Sequence, residues 1–379
     1  MGVVRRPTRS RTAGMYQECM GPRRQGGSAH AGLPAHRWAA RDYIHTINFE
    51  NWVLKGVGTS KTASKLWYRE HAEFHFELFI EEHNKEYIDE EEKQFRFEIF
   101  VENMLKANQM NEQSDHAVFG ITQFSDLTPE EFVNHYTGLD NSFNFTESEC
   151  NDFYDSQIPN YNAPESFDWR QHNAVSRVKN QGQCGGCYAF SASGNIEGQY
   201  AIKHGSLIEL SEQQIIDCDK GSKGCRGGSM PASFRSIIQQ GGIETEDDYP
   251  YEASQSYCRF TPGIAAVRLT DCNLYSLRSQ EKLKQLLYHN GPISIGVQAS
   301  SFQGYHGGIM SDEHCNSGDV NHGVLLVGYG TENGRPFWTV KNSWGENFGE
   351  HGYIRIQRGD SAASCGMMNN GLMSSSVVM

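Results

Sequence analysis

From Trp67 to Asn111 apolar residues recur at helical spacing. Phe97, Phe100, Val101, Met104 and Leu105 share one face, with Glu and Lys on the other. Thr128, followed by Pro129, predicts the cap and first turn of a second, shorter helix. Residues 138–163 are polar and Asn-rich and read as a linker. Beyond Asp168-Trp169-Arg170 the pattern changes. Tyr188 to Lys203, rich in Ala, Ile and Phe, predicts a helix, and later runs turn β-like: Ile293 to Val297, Gly323 to Tyr329, Phe337 to Lys341 and Tyr353 to Ile356. Glu332-Asn333-Gly334 between two of these runs predicts a hairpin. The expected fold class is α+β: a helical N-terminal unit, then a larger unit that starts helical and ends in antiparallel sheet.

The chain has 379 residues, enough for two cooperating globular units. Its longest buried-looking stretch, Gly323 to Gly330, is strand-sized and far short of the roughly 18 apolar residues of a membrane helix. A soluble protein with no membrane span is expected. The net charge of -13 is unevenly spread. Residues 1–41 hold eight Arg and one acid, residues 42–160 carry -16, and residues 161–379 carry -4. Such steps mark borders. The Arg-rich start, with almost no apolar periodicity, reads as a disordered extension. It has no apolar core of a secretory signal; it imitates a mitochondrial transit peptide, and a displaced start is the favoured reading. No basic face in the large unit suggests nucleic acid.

Eight of the ten cysteines follow residue 160, unusual for a cytosolic protein unless metal-bound or reactive. Cys184 and Cys187 form a C-x-x-C pair, but a structural zinc site wants a second close pair, and Cys218 and Cys225 are too far apart to supply it. No metal and no cofactor are expected; disulfides in an oxidising compartment fit better. The pair sits in Gln181-Gly-Gln-Cys-Gly-Gly-Cys187-Tyr-Ala-Phe-Ser191, where Cys187 leads into the expected helix. There the amide groups and positive dipole end favour a thiolate, the form that attacks carbonyls. Two further motifs follow: Asp319-Val-Asn-His322-Gly and Phe337-Trp-Thr-Val-Lys-Asn342-Ser-Trp344-Gly345. His322 begins one strand and Asn342 ends the next, so the hairpin brings them together: a base oriented by a third group.

These motifs, in this order, resemble the papain-like cysteine proteases. The first matches the family signature at all but one position, Gly186 standing where Ser or Ala is usual, and His322 follows Cys187 by 135 residues, within the separation that family shows. The resemblance runs from about residue 67 to the end. Glu92, Arg96, Phe100, Asn103 and Asn111 fall on the inhibitory propeptide pattern of cathepsin L-like enzymes, as do Gly120, Phe124 and Asp126; Ala107 and Thr122 depart from it. Cys-Gly-Gly-Cys, Asn321 and the segment Ser301 to Gly308 lean toward cathepsin O.

The resemblance implies a two-lobed protease, helical on the left and β-rich on the right, behind a propeptide. Its borders would be a propeptide at 67–137, a linker with the processing site at 138–162 and the protease at 163–379. It implies Cys187 as nucleophile, His322 as base, Asn342 as orienter, and Gln181 with the Cys187 amide as oxyanion hole. Substrate contacts would come from Gly227, Gly228, Met230, Gly296, Val320, Asn321, Gly323, Trp344 and Asn370, and Trp344 would shield the His–Asn pair. The implied disulfides are Cys184–Cys225, Cys218–Cys258 and Cys315–Cys365, leaving Cys187 free and Cys272 unpaired. Implied partners are protein and peptide substrates, the chain's own propeptide and cystatin-type inhibitors, acting on a monomer that is lysosomal or secreted. Cys258 to Pro292 is too short for a cleft-closing insertion, so endopeptidase activity is expected. Asp126 is expected to interact with Arg96 and to release the propeptide in acid. The rivals are a non-catalytic homologue and a thiol oxidoreductase using Cys184 and Cys187.

Overall fold

The structure, a computed structural model, describes residues 61–379 except 141–149, 316–318, 360–362 and 371–372, with side chains from residue 71 and none at 369–370. The Arg-rich extension lies outside the described residues. Helix α1 (Lys61–His83) crosses α2 (Glu90–Gln113) on an aromatic cluster: Phe76 and Phe79 pack on Phe100 with ring centroids 5.3 and 5.2 Å apart. The Asp89 carboxylate caps α2, and Glu90, Glu91 and Glu92 fill its first turn, where the helix dipole favours them. The buried stripe runs through Phe97, Phe100, Met104 and Ala107, while Leu105 is 56% exposed. One residue too many had been read into the apolar face.

A short strand β1 (Val118–Phe119) follows, then α3 (Pro129–Tyr136), whose Thr128 and Glu131 form a reciprocal capping box. The Asp126 carboxylate does not pair with Arg96 as expected. It accepts from Lys85 Nζ at 2.8 Å and Tyr87 Oη at 3.1 Å. Arg96 instead donates to the Asp126 main-chain oxygen at 3.1 Å and pairs with Glu131 at 2.8 Å. The loop turns the side chain of Asp126 away from α2 and its carbonyl toward it.

The left lobe is built on α4 (Cys187–His204), with α5 (Glu212–Cys218) and α6 (Met230–Gln240). On the right, strands β2 (Asn151–Tyr154), β3 (Phe167–Asp168), β4 (Leu269–Ser276), β5 (Ile293–Val297), β7 (Ile309–Met310), β8 (His322–Glu332), β9 (Arg335–Lys341), β10 (Tyr353–Gln357) and β11 (Met373–Val378) form one sheet. Its order is β2-β4-β11-β5-β8-β9-β10-β7, with β3 on β8. Strand β6 (Tyr305–Gly307) pairs with β1 of the propeptide, and α7 (Gln280–Asn290) packs on the sheet core. The β8–β9 hairpin closes through Asn333 and Gly334, both at positive φ, as a two-residue turn of that kind requires. Thus a strand of the expected linker, β2, belongs to this sheet.

Four disulfides join Cys150–Cys272, Cys184–Cys225, Cys218–Cys258 and Cys315–Cys365. Cys272 is therefore bonded, not free; its partner lies in the linker, too far along the chain for the family pattern to supply. Among the described residues no helix is long and apolar enough to cross a membrane.

Candidate active site

Cys187 is the first residue of α4, and it is the free cysteine among the described residues. The turn before it is tight: a Cβ at Gly185 would stand 2.7 Å from the Cys225 carbonyl oxygen, and one at Gly186 would meet Ile216 Cδ1 at 3.1 Å. Gly186 thus suits a crowded position. The Cys187 sulfur accepts from the Gly323 amide at 3.3 Å, which sets it beside His322 at the start of β8. Strand β9 runs back antiparallel and delivers Asn342 just past its end. His322 Nε2 and Asn342 Oδ1 lie 2.8 Å apart. Because the Ser343 amide also donates to Oδ1 at 2.8 Å, that atom is the oxygen, and Nε2 must carry the proton. The lone pair is then on Nδ1, which is buried with no hydrogen-bond partner. Trp344 covers the ring, stacked at 4.5 Å.

Gln181 is fully buried. Its Oε1 accepts from Ser343 Oγ at 2.6 Å, and its Nε2 donates to the Cys184 carbonyl at 2.9 Å. Sequence reasoning passed over Ser343. Its place directly after Asn342 was the available signal, since it touches both Asn342 and Gln181.

Complete burial pushes the Cys187 thiol up to about 12 against the pull of the Gly323, Tyr188 and Cys187 amides, and pushes His322 down to about 4 against its bond to Asn342. A resting thiolate is thus not favoured in the covered site; desolvation outweighs the helix end.

Residues 163–375 match the model of the papain family cysteine proteases. The chain belongs to this family. Residues 76–132 match the cathepsin propeptide inhibitor domain. The viral cathepsin of Spodoptera litura multicapsid nucleopolyhedrovirus is 45% identical over 326 residues, 84% of this chain and 96% of that one. The viral cathepsin of Mamestra configurata nucleopolyhedrovirus is 46% identical over 301 residues, 79% of this chain and 87% of its own. Among solved structures, digestive procathepsin L2 of Tenebrio molitor superposes with a TM-score of 0.74 at 33% identity, covering 81% of this chain and 99% of that one. The molecule is a cathepsin L-like proenzyme, a cysteine-type endopeptidase carrying its inhibitory propeptide. The cathepsin O leaning draws nothing from these relatives.

In this papain-family proenzyme the chain after α3 runs past the site residues, held through its backbone and bridged at Leu139 to Gly228. The Tyr136 carbonyl accepts from Gln181 Nε2 at 3.3 Å and from Trp344 Nε1 at 2.9 Å. The Gly138 and Leu139 amides both donate to the Asn321 carbonyl at 3.0 Å, the Gly228 amide donates to the Gly138 carbonyl at 2.9 Å, and the Asp140 amide donates to the Gly228 carbonyl at 2.8 Å. Only glycine fits at 138, where a Cβ would lie 2.2 Å from the Gly185 oxygen. A Cβ at Gly227 would likewise meet the Gly138 oxygen at 2.6 Å. Leu139 joins Met230 and Val320 in one buried apolar cluster. Gly296 and Gly323 pair across β5 and β8, and a Cβ at Gly323 would crowd Met230 Sδ at 3.2 Å. The side chain of Asn370 lies outside the described residues. The expected substrate contacts at 227, 228, 321 and 344 therefore all lie along the segment from Tyr136 to Asp140.

Proposed function

We propose that Cys187, His322 and Asn342 form the catalytic triad of this endopeptidase, working through a thioester. The observation that carries the reading is the partnerless His322 Nδ1, on a ring fixed by Asn342, one residue from the amide that touches the Cys187 sulfur. Nδ1 takes the thiol proton as the sulfur adds to a peptide carbonyl. The resulting oxyanion receives the Gln181 amide and the Cys187 N–H, at about 3 kcal/mol per donor. Collapse expels the amine, which leaves with the proton from His322. Water, deprotonated by His322, then splits the thioester and releases the acid and the thiol. The bond of Cys184 to Cys225 supports this reading over a dithiol oxidoreductase. Four disulfides support a lysosomal or extracellular working place. The stretch from Cys258 to Pro292 is taken up by a short 3-10 turn, β4 and α7, with no insertion across the cleft, which supports internal cleavage.

Since Leu139 shares a cluster with Met230 and Val320, the substrate pocket there should take a large apolar side chain. In a peptide library the activated enzyme should prefer Leu, Val or Phe to Arg by tenfold or more at the second residue before the cut. A preference for Arg, or trimming from chain ends alone, would contradict the proposed cleft.

A further inference from the structure

The segment that follows the cleft strand is built into the protease rather than strung between units. Cys150, 7% exposed, is bonded to the fully buried Cys272 on β4. From there β2 runs parallel to β4, with Asn151 opposite Asn273 and Tyr154 opposite Ser276, and Phe153 packs on Tyr275 at 5.7 Å. The Asp155 carboxylate accepts from the Arg278 and Ser279 amides at 3.0 and 3.3 Å, at the start of α7. Lys282 Nζ donates to the Ile158 carbonyl at 2.7 Å, and the Ile158 side chain enters the right-lobe core. Tyr161 stacks on His289 at 3.8 Å. These partners lie between 269 and 290, in the protease, and none is in the propeptide helices. Residues 136–140 in the cleft, by contrast, carry no disulfide and are held by hydrogen bonds to Gln181, Gly228, Asn321 and Trp344 and by an ion pair with Lys223.

We infer that residues 150–161 are a permanent strap of the active enzyme, not part of the propeptide that leaves. The staple, the parallel strand and the buried Ile158 keep them on β4 and α7 when α1, α2 and α3 depart. Removal of the propeptide thus separates the cleft-bound residues up to Asp140 from Cys150. The inference rests on the zymogen reading, so mass and peptidase activity are scored separately, and failure of one is distinguishable from failure of the other.

The test is the intact mass of the acid-activated full-length chain, read without reduction and again after reduction. The strap should be present in the unreduced mass. A reduced chain starting before Cys150 supports the inference, and so does a strap released only by reduction. An unreduced active form that starts near Asn162 and lacks the strap overturns it. The double variant Cys150→Ser with Cys272→Ser should melt lower by roughly 5–10 °C and lose the strap to trimming. An unchanged melting point and an unchanged start in that variant would also overturn it.

Discussion

Replacing His322 with Ala should lower kcat/KM of the activated enzyme by roughly 10⁴- to 10⁶-fold, because members of such a unit fail together. In the proposed mechanism His322, whose buried Nδ1 has no hydrogen-bond partner, both accepts and returns the proton. Asn342 only fixes the ring, so Asn342→Ala should cost less, on the order of 10- to 100-fold. The fold is not the cause of either loss: among the described residues the His322 ring hydrogen-bonds to Asn342, and the grip of residues 138–140 on Gly228 and Asn321 uses main chain. Each variant proenzyme should therefore still be purified folded, with its cleft covered. Activity of His322→Ala within tenfold of wild type would remove His322 from the proposed chemistry.

Asp126→Ala should open the proenzyme at neutral pH, raising cleft accessibility on the order of 10²-fold. The carboxylate is buried and accepts from Lys85 and Tyr87, so truncation strands the Tyr87 hydroxyl and leaves Lys85 with the Gln123 carbonyl, at about 2–4 kcal/mol. Burial, and then Asp126 itself, push the Tyr87 hydroxyl upward, so it stays a donor. The pH dependence comes from the neighbouring pair. Burial pushes Glu131 up, but Arg96 and the Thr128 amide pull it further down, so its folded value is below that of an ordinary carboxylate. A lowered folded pKa gives stability that is present above the unfolded value, about 4.3, and is lost as pH falls through the folded one. The propeptide should thus hold near neutrality and loosen below about pH 4. Arg96 and Glu131 are partly exposed, so this pair alone contributes under about 1 kcal/mol. Opening is read as the rate of thiol alkylation of the full proenzyme. A wild-type rate that stays flat as pH falls from neutrality through 4 to about 3 would contradict the Glu131 account, and an Asp126→Ala rate equal to wild type would contradict the buried grip.

What the sequence made legible follows from how local each signal is. The β8–β9 hairpin announces itself through Asn333-Gly334, and α4 through its apolar run, because both are fixed by residues adjacent in the chain. Strand β5 was legible to the residue, with Ile293, Ile295 and Val297 alternating in a uniformly buried run. Strand β11 was not: Ser374, Ser375 and Ser376 are all buried, and their tolerance depends on distant partners, on β4 and β5 and, for Ser376, Asn195 of α4. For the same reason the partner of Cys272 was missed. A bond across 122 residues leaves no local trace, and Cys150 sits in a polar stretch that reads as solvent-exposed. The Arg96–Glu131 pair was hidden because both Asp126 and Glu131 lie within reach of α2, and only the loop's path decides between them. At the site, residue identities carried the chemistry, but the upward push on Cys187 and the downward push on His322 come from burial, which no motif spells out.

The central claim is that Cys187 is the nucleophile and that the propeptide holds it silent. An epoxide that alkylates thiolates, applied to proenzyme and to activated enzyme, with the modified residue mapped by mass, tests it most directly. Burial keeps the thiol up at about 12 in the covered cleft, so the proenzyme should remain unlabelled near neutral pH. The activated enzyme should carry one label, on Cys187, at mildly acidic pH, and Cys187→Ala should abolish both label and peptide cleavage. Labelling of any other cysteine, or cleavage that persists in Cys187→Ala, would contradict the account.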